Sequence, residues 1–448
     1  MDWPIRLLLN VTDKNIFCNT PWYELHIYWD GSLGICCQEA HKLYPDSEQQ
    51  YNVATMSIAE WFNSTPVREF RQAVAGNSKV SACQRCYTEE TYSGSSRRHK
   101  SNQKSVIFTK TNFSESYQQS PGYRHFNFSQ QNNGAYGGMP IDLHIDLGNY
   151  CNLTCKMCNP RASSSIASQH VKWGMLEATQ YIGSDWTRNE EVWSRVLNEL
   201  VKISKLNNIH FMGGETLITK RFEDFVDFMI THNRLDLNFS FVTNGTTFNQ
   251  SLLDKLKKFQ RVGIEVSIES ITDHNAYQRQ GTDTKLVLDN IEKYLAQCNG
   301  SNITLTARPA ISALTIGSYS SLLKFCLDKK IIVKSLLVNN PKFLDIRILP
   351  DQIREQYCQQ YQDLEHSLNL TEIDPSDDYN ESDPTQINKI IKNQITQCIN
   401  ILTAPRLPNS DQLLTDMVAW CRRWDDVHGY NALDLYPELA EEFINRGY

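Results

Sequence analysis

The chain has 448 residues, of which 40% are hydrophobic and 21% charged, a composition typical of soluble globular proteins. Its 44 basic and 51 acidic residues give a net charge of -7, which excludes the strongly basic class of proteins and predicts no nucleic-acid partner. No stretch approaches the roughly 20 apolar residues of a membrane span, and the first residues lack a secretory leader. We therefore expect a cytoplasmic protein without a membrane partner.

Thirteen cysteines are distributed unevenly along the chain. Cytosolic proteins seldom keep disulfides, so closely spaced cysteines in such a chain indicate metal binding. Two groups have the spacing of metal ligands, and the other cysteines are scattered. We expect most of the scattered ones to be ordinary buried thiols: Cys298, Cys326, Cys358, Cys398 and Cys421.

The first group lies in a predicted cysteine-rich N-terminal domain, residues 1–92. Its members are Cys18, Cys36, Cys37, Cys83 and Cys86. Zinc in an all-thiolate cage and an iron–sulfur cluster are both compatible with this many thiols. The spacings Cys-x2-Pro-Trp, Gly-x4-Cys and Cys-x2-Cys resemble the auxiliary-cluster module called Twitch or SPASM. That resemblance implies an auxiliary [4Fe–4S] cluster bound by Cys18, Cys36, Cys83 and Cys86, with Cys37 as an open alternative to Cys36.

Residues 93–140 are rich in serine, asparagine, glutamine and glycine, a composition that predicts a linker. A basic run, residues 96–100, lies near the start of this segment. Charge runs of this kind are most often solvated, so we expect a surface loop here.

Between residues 141 and 350, short β-branched segments alternate with longer amphipathic ones, as in repeated β-α units. Such units form a parallel sheet with helical crossovers. We predict an α/β fold of about six such units, an arrangement that resembles the partial, TIM-like (β/α)6 barrels of known enzymes, followed by a mainly helical C-terminal extension at 351–448. The predicted strands are 141–147, 208–212, 238–243, 263–268, 302–307 and 332–338.

The second cysteine group is the compact run Cys151-x3-Cys155-x2-Cys158, directly after the first predicted barrel strand. Three thiolates on one short loop can bind three irons of a cubane and leave the fourth iron open, as a catalytic site requires. The run resembles the signature of the radical S-adenosylmethionine (radical SAM) superfamily. The resemblance implies a [4Fe–4S] cluster whose open iron binds S-adenosylmethionine, which is then cleaved to a 5′-deoxyadenosyl radical.

Further motifs of the same superfamily follow later predicted strands. The resemblance implies that Gly213-Gly214-Glu215 binds the amino group of S-adenosylmethionine. Glycines allow close approach of the backbone, and a carboxylate suits an ammonium group. The residue that follows is usually proline in the superfamily, and here it is Thr216. By the same resemblance, other cofactor contacts are Asn244, Ser267, Arg279 and Val338.

Radical enzymes with an auxiliary cluster mostly modify peptides. The resemblance therefore implies a ribosomally made precursor peptide as substrate and a flavodoxin or ferredoxin as electron donor. The favoured reaction is L-to-D epimerisation, in which a thiol returns hydrogen to Cα after its abstraction. The candidate catalytic thiols are Cys358 and Cys326, with Cys398 and Cys421 behind them. Oxidative carbon–carbon or thioether cross-linking is an alternative, and a non-catalytic, metal-stapled binding protein is a third interpretation.

Overall fold

A mostly parallel sheet forms the centre of the fold in this computed structural model. The structure describes residues 16–37, 51–76, 78–93, 96–107, 128–177, 181, 185–368, 370 and 383–448. The strands are β1 Glu24–Ile27, β2 Leu33–Gly34, β3 Asp142–Asp146, β4 Thr154–Cys155, β5 Asn208–Met212, β6 Asn238–Thr243, β7 Arg261–Val266, β8 Arg279–Gln280, β9 Ile303–Ala307, β10 Ala310–Ile311, β11 Ile332–Val333 and β12 Leu336–Leu337.

The main sheet of the described residues has eight strands in the order β11-β9-β7-β6-β5-β3-β1-β2. Neighbouring strands are parallel, except that β1 and β2 form an antiparallel hairpin. Six of the parallel strands lie at the six predicted positions. The predicted α/β fold, with the β-α units of a partial barrel, is therefore confirmed.

Helices cover one face of this sheet, where the strands place their apolar side chains. Successive strand residues point to opposite faces, and on β3 and β5 the apolar residues Leu143, Ile145, Ile209 and Phe211 are at most 1% exposed. The helices are α1 Ile58–Phe62, α2 Thr65–Ala75, α3 Gln84–Ser93, α4 Arg97–Ile107, α5 Ser164–Lys172, α6 Glu190–Lys202, α7 Lys220–Thr231, α8 Gln250–Leu256, α9 Asp273–Gln278, α10 Thr284–Cys298, α11 Ile316–Lys329, α12 Asp351–Ser367, α13 Ile387–Thr403, α14 Ser410–His428, α15 Ala432–Leu435 and α16 Ala440–Asn445.

The sixth predicted strand, 332–338, is divided in the structure. Only β11 belongs to the main sheet, whereas β12 pairs with β10 in a separate two-stranded sheet. Pro309 separates β9 from β10 and has no N–H to donate to a strand ladder. The edge of the sheet therefore splits at this point.

Strand β1 comes from the predicted N-terminal domain, yet it extends the barrel sheet. It pairs in parallel with β3, so that His26 lies opposite His144. All four β1 residues are buried, and a strand this short carries no clear periodicity for a sequence pattern to detect. The sheet thus crosses the predicted boundary between the domains.

Part of the predicted linker, 93–140, is helix α4, and the rest includes residues 94–95 and 108–127, which lie outside the described residues. The expectation of a solvated basic loop at 96–100 is wrong. Arg97 pairs with Glu24 at 2.5 Å and Arg98 pairs with Glu90 at 2.7 Å. Because ion pairs rather than a hydrophobic stripe fix this helix, its sequence resembles that of a polar linker.

The C-terminal extension is mainly helical, as predicted. Helix α12 packs against α11 and α13, and α14 returns to the loop that follows β3. No helix among the described residues is long and apolar enough to cross a membrane.

Candidate radical site and auxiliary cysteine cluster

The cysteine loop, residues 151–158, follows β3 at the C-terminal edge of the sheet, where β-α folds place their active sites. Strand β4 within the loop pairs antiparallel with β8, so that Cys155 lies opposite Arg279. On the other side, the Ser165 hydroxyl of α5 donates to the Cys151 carbonyl oxygen at 2.6 Å. Both flanks of the loop backbone are therefore fixed, and its thiols range from half-buried (Cys151 and Cys158) to buried (Cys155).

The three thiols influence one another electrostatically. Burial raises the pKa of Cys155 above its usual range, Arg279 lowers it, and charge on Cys158 and Cys151 raises it again. Burial and charge on Cys151 likewise raise the pKa of Cys158 to about 11. The guanidinium of Arg279 lies 3.7 Å from the Cys155 sulfur. Since the thiolate is the form that binds metal, a cation at this distance favours the ligand state.

Gly213 and Gly214 bring the end of β5 directly against the cysteine loop. Both have positive φ angles, 82° and 55°, and an added Cβ at Gly214 would lie 2.2 Å from the Tyr150 carbonyl oxygen. The Glu215 N–H donates to the same oxygen at 2.8 Å, and the Gly214 N–H donates to Ala162 at 3.0 Å. The physical requirement for glycine here is therefore the close approach of two backbones.

Glu215 joins the ends of two neighbouring strands beside this loop. Its carboxylate is 1% exposed and accepts hydrogen bonds from the Thr243 hydroxyl at 2.6 Å and the Asn244 N–H at 2.5 Å. Burial raises the pKa of Glu215, and these hydrogen bonds partly offset that effect. The Asn244 side chain donates to Asn152 of the cysteine loop at 2.8 Å. The predicted residues Glu215 and Asn244 are thus brought together with the loop, and their contact with S-adenosylmethionine stays a prediction.

Ser267 and Arg279 lie beyond β7. The Ser267 N–H donates to the Thr243 carbonyl at 2.8 Å, which places it at the same strand-end edge. Arg279 donates twice to Glu269, at 2.5 and 2.6 Å, and that carboxylate is fully buried. The partner that fixes Arg279 was not predicted, although Glu269 follows Ser267 by only two residues. We therefore assign Glu269 to orienting Arg279 toward Cys155.

A buried ion pair attaches the C-terminal extension to the cysteine loop, a connection that sequence analysis missed. Lys156 is 0% exposed, and its Nζ lies 3.1 Å from Asp425 and 3.1 Å from the Tyr277 ring centroid. Asp425 also accepts hydrogen bonds from the Tyr277 hydroxyl at 3.1 Å and from the Ala432 N–H at 2.9 Å. The Trp420 indole donates to the Lys156 carbonyl at 3.3 Å. A lysine and a distant helical aspartate carry no sequence signal, and only their burial together reveals the pair.

The other face of the sheet carries a histidine row, His26, His144 and His210, which are neighbours in register on β1, β3 and β5. The ring centroids lie 5.7 Å and 5.0 Å apart along the row. His26 contacts Asp146 at 3.2 Å, and His210 contacts the Ser240 hydroxyl at 2.7 Å. Burial lowers the pKa of His210 to about 3. The inner face of the sheet is therefore polar and lined in part by a neutral imidazole.

The N-terminal thiols gather from three separate segments. Burial raises the pKa of Cys36 and of Cys86, the latter to about 11, and charge on Cys18 contributes to both shifts. Cys18 is therefore a neighbour of each. Burial lowers the pKa of Arg97, but charge on Cys37 raises it above its usual range. Charge on Cys18 thus acts on both Cys36 and Cys86, Arg97 interacts with both Cys36 and Cys37, and Cys83 lies just before α3; the ligand set stays a prediction.

The other predicted site residues belong to different parts of the fold. Val338 follows β12, where its N–H donates to the Ile311 carbonyl at 2.8 Å. Cys326 on α11 is fully buried in the helix–sheet core and lines a small cavity with Leu305. Cys358 lies half-buried on α12. A hydrogen donor must reach the substrate, so the position of Cys326 gives no support to that role.

The residues present fit the predicted clusters by the chemistry of their donors. Three thiols with an adjacent guanidinium occupy one loop, and Gly214 provides the close backbone packing that positions this loop. Five thiols occupy the N-terminal domain. Within the described part of the chain, no three His, Cys, Asp or Glu side chains converge on one point as a single metal ion would require.

Two known families match the parts of the chain that contain these thiols. Residues 145–307 match the radical SAM superfamily. The chain carries a radical SAM domain. Residues 18–87 match the SPASM domain, described as an iron–sulfur cluster-binding domain. The SPASM domain thus precedes the radical SAM domain, as predicted. The radical SAM domain implies a [4Fe–4S] cluster and S-adenosylmethionine, and the SPASM domain implies auxiliary iron–sulfur binding.

Individual relatives match the chain only in part. The radical SAM cyclopropyl synthase TigE of Paramaledivibacter caminithermalis is 26% identical over 147 residues, which cover 32% of this chain and 30% of that protein. Two solved structures match this chain with TM-scores of 0.38. The protein anSMEcpe with bound AdoMet is 18% identical over 51% of this chain and 60% of its own. Streptococcus suis SuiB bound to precursor peptide SuiA is 14% identical over 64% of this chain and 60% of its own. The chain thus spans less than a third of the length of TigE.

Proposed function

We propose that this chain is a cytoplasmic radical SAM enzyme that modifies a ribosomally made precursor peptide, with a flavodoxin or ferredoxin as electron donor. The proposal rests on the convergence of the cysteine loop, Glu215 and Arg279 at one edge of the sheet. When bound, the cluster and S-adenosylmethionine supply a carbon radical that removes a hydrogen atom from the substrate. The three loop cysteines would hold the cluster, and Glu215 and Asn244 would line the S-adenosylmethionine site.

The polar inner face of the sheet supports a peptide as substrate. The histidine row and the ion pair of Glu265 with Arg308 supply hydrogen-bonding side chains along this face. A peptide buried against an apolar wall would leave its amide groups without partners, at a cost of about 1–3 kcal/mol for each group. Polar side chains avoid that cost, and the neutral state of His210 lets it either donate or accept.

Two reactions compete within this proposal, and the exposure of the candidate thiols bears on which of them we favour. Epimerisation needs a thiol that reaches the substrate, and of the two predicted donors only Cys358 is partly exposed. Oxidative carbon–carbon bond formation needs no such donor. TigE is named as a cyclopropyl synthase, and closing a ring on a saturated carbon chain removes two hydrogen atoms. We therefore place oxidative bond formation first and epimerisation second.

The two reactions differ in product mass. The reconstituted enzyme would be incubated anaerobically in heavy water with a precursor peptide, S-adenosylmethionine and dithionite, and the peptide analysed by mass spectrometry. Loss of two hydrogen atoms is the expected result. Gain of one deuterium with no other change would establish epimerisation, and its loss in Cys358→Ala would identify the donor. Absence of 5′-deoxyadenosine from enzyme with its full iron content would instead favour a non-catalytic binding protein.

A further inference from the structure

A surface cleft of about 440 Å³ lies beside α14 and the segment that follows α5. We call it the arginine cleft. Among the described residues, its charged lining consists of three arginines and one aspartate, beside Trp173. These charged residues are Arg422, Arg423, Arg446 and Asp426. Met175 beside it and Val427 on its wall are 47% and 49% exposed. The cleft thus combines exposed apolar area with an excess of positive charge, in a chain whose net charge is -7.

Arg422 and Arg423 are the available charges of the cleft. Arg446 is already paired with Glu442. The guanidinium of Arg422 donates to the Gly447 carbonyl at 2.8 Å, and that of Arg423 lies 5.6 Å from the Trp173 ring centroid. Among the described residues, neither of these two arginines forms an ion pair with a carboxylate. Within the described part of the chain, their charges are therefore oriented by neutral groups rather than by a paired carboxylate.

Trp173 in the arginine cleft is linked to the cysteine loop through neighbouring tryptophans. The ring centroid of Trp173 lies 5.0 Å from that of Trp424 and 5.7 Å from that of Trp420. Trp420 in turn donates to the carbonyl of Lys156, which lies between the second and third cysteines of the loop. Three aromatic rings and one hydrogen bond thus connect the surface with the loop.

We propose that the arginine cleft is the docking surface for an acidic one-electron donor protein of the flavodoxin or ferredoxin class. This inference rests on the proposed function. The donor would lose one electron, the radical SAM cluster would gain it, and no covalent bond would change. Charge complementarity selects an acidic partner in an otherwise acidic protein. The residues that line the cleft do not include Glu215 or Asn244, so a protein bound there leaves the predicted cofactor edge accessible.

The test separates docking from catalysis through the choice of reductant. The rate of 5′-deoxyadenosine formation by reconstituted enzyme would be measured with reduced flavodoxin and, separately, with dithionite, a small ion that needs no docking surface. The variant is Arg422→Glu combined with Arg423→Glu, and Lys285→Glu on α10, where the side chain is 85% exposed, is the matched control. Iron content would be determined for each protein.

We expect the double variant to lower the flavodoxin-driven rate about tenfold at low ionic strength, because reversed rim charges mainly slow association. The difference should shrink with added salt, since screening shortens the range of charges to about 10 Å at 0.1 M. The dithionite-driven rate and the control variant should stay at the wild-type level.

Two outcomes would overturn the docking surface: a flavodoxin-driven rate unchanged in the double variant, or an equal fall with both reductants. An unchanged rate together with weakened binding of an acidic precursor peptide would identify the cleft as a peptide site. Failure of the wild-type enzyme to cleave S-adenosylmethionine even with dithionite, at full iron content, would overturn the proposed function and this inference with it.

Discussion

The radical SAM domain takes its three thiols from one loop of eight residues, whereas the SPASM domain collects its thiols from segments around Cys18, Cys36 and Cys86. The cysteine loop is held by backbone contacts to β8 and to the end of β5. Around the N-terminal thiols, side chains of α4 bind the neighbouring segments, since Arg97 pairs with Glu24 and Arg98 pairs with Glu90. Thiols on one short loop can be recognised as a sequence pattern. Thiols from distant segments come together only through the packing of other elements.

The largest effect should come from removing all three cysteines of the cysteine loop together. Combined Cys151→Ala, Cys155→Ala and Cys158→Ala should abolish formation of 5′-deoxyadenosine, because this change removes all three predicted protein ligands of the radical cluster. The SPASM site should keep its own iron, about four per chain for one cubane. Iron analysis and the visible absorption spectrum would measure this. Loss of all iron from the triple variant would show that the two sites do not assemble independently.

The next effect concerns the buried ion pair that holds the cysteine loop. Asp425→Asn should lower the free energy of unfolding by about 3 kcal/mol, because Lys156 would stay buried without a charge partner. The same change should reduce the iron bound by the radical SAM domain but not that of the SPASM domain. Chemical denaturation and iron analysis measure the two effects. The exposed neighbour Asp426→Asn is the control, and an equal loss in both variants would contradict a specific role for the pair.

A smaller and more selective effect on auxiliary iron should distinguish the two adjacent cysteines of the SPASM domain, Cys36 and Cys37. If Cys36 is the ligand, Cys36→Ala should lose auxiliary iron, and Cys37→Ala should keep it. The Gly-x4-Cys spacing and its resemblance to the SPASM module favour this outcome, whereas Arg97 interacts with both Cys36 and Cys37. Electron paramagnetic resonance of the reduced variants, after removal of the radical cluster by Cys155→Ala, would read the auxiliary site alone. The reverse pattern would assign Cys37 as the ligand.

The smallest effect is on the pH dependence of stability and concerns the histidine row, which extends from the N-terminal segment into the barrel. His210 has a depressed pKa of about 3 when folded, so the unfolded chain binds its proton more readily. Stability from this group is fully present above about pH 6.5 and is lost as the pH falls, by about 2 kcal/mol at pH 5. His210→Gln should flatten the pH dependence of unfolding between pH 6.5 and 5. The exposed His366→Gln should leave the slope unchanged, and an unaltered slope in His210→Gln would refute the assignment.

Sequence patterns located most of the fold and part of the site. The six β-α units were predictable because β-branched strands and amphipathic helices have different periods. Strand β1 was missed because four residues are too few to show a period, and α4 because its stability comes from Arg97 and Arg98. Glu269, Lys156 and Asp425 were missed because each partner is unremarkable until burial brings the charges together.

The sequence by itself identified the radical SAM domain, because the Cys-x3-Cys-x2-Cys run and Gly213-Gly214-Glu215 are short enough to be recognised without any folding. Tertiary structure alone decided what holds those residues. It joined β1 to the barrel sheet, placed Arg279 against Cys155, and fixed the cysteine loop to α14 through Lys156 and Asp425. Residues that are neighbours in sequence are held close by the backbone even in the unfolded chain. Lys156 and Asp425 lie 269 positions apart, so their buried ion pair exists only after the chain has folded.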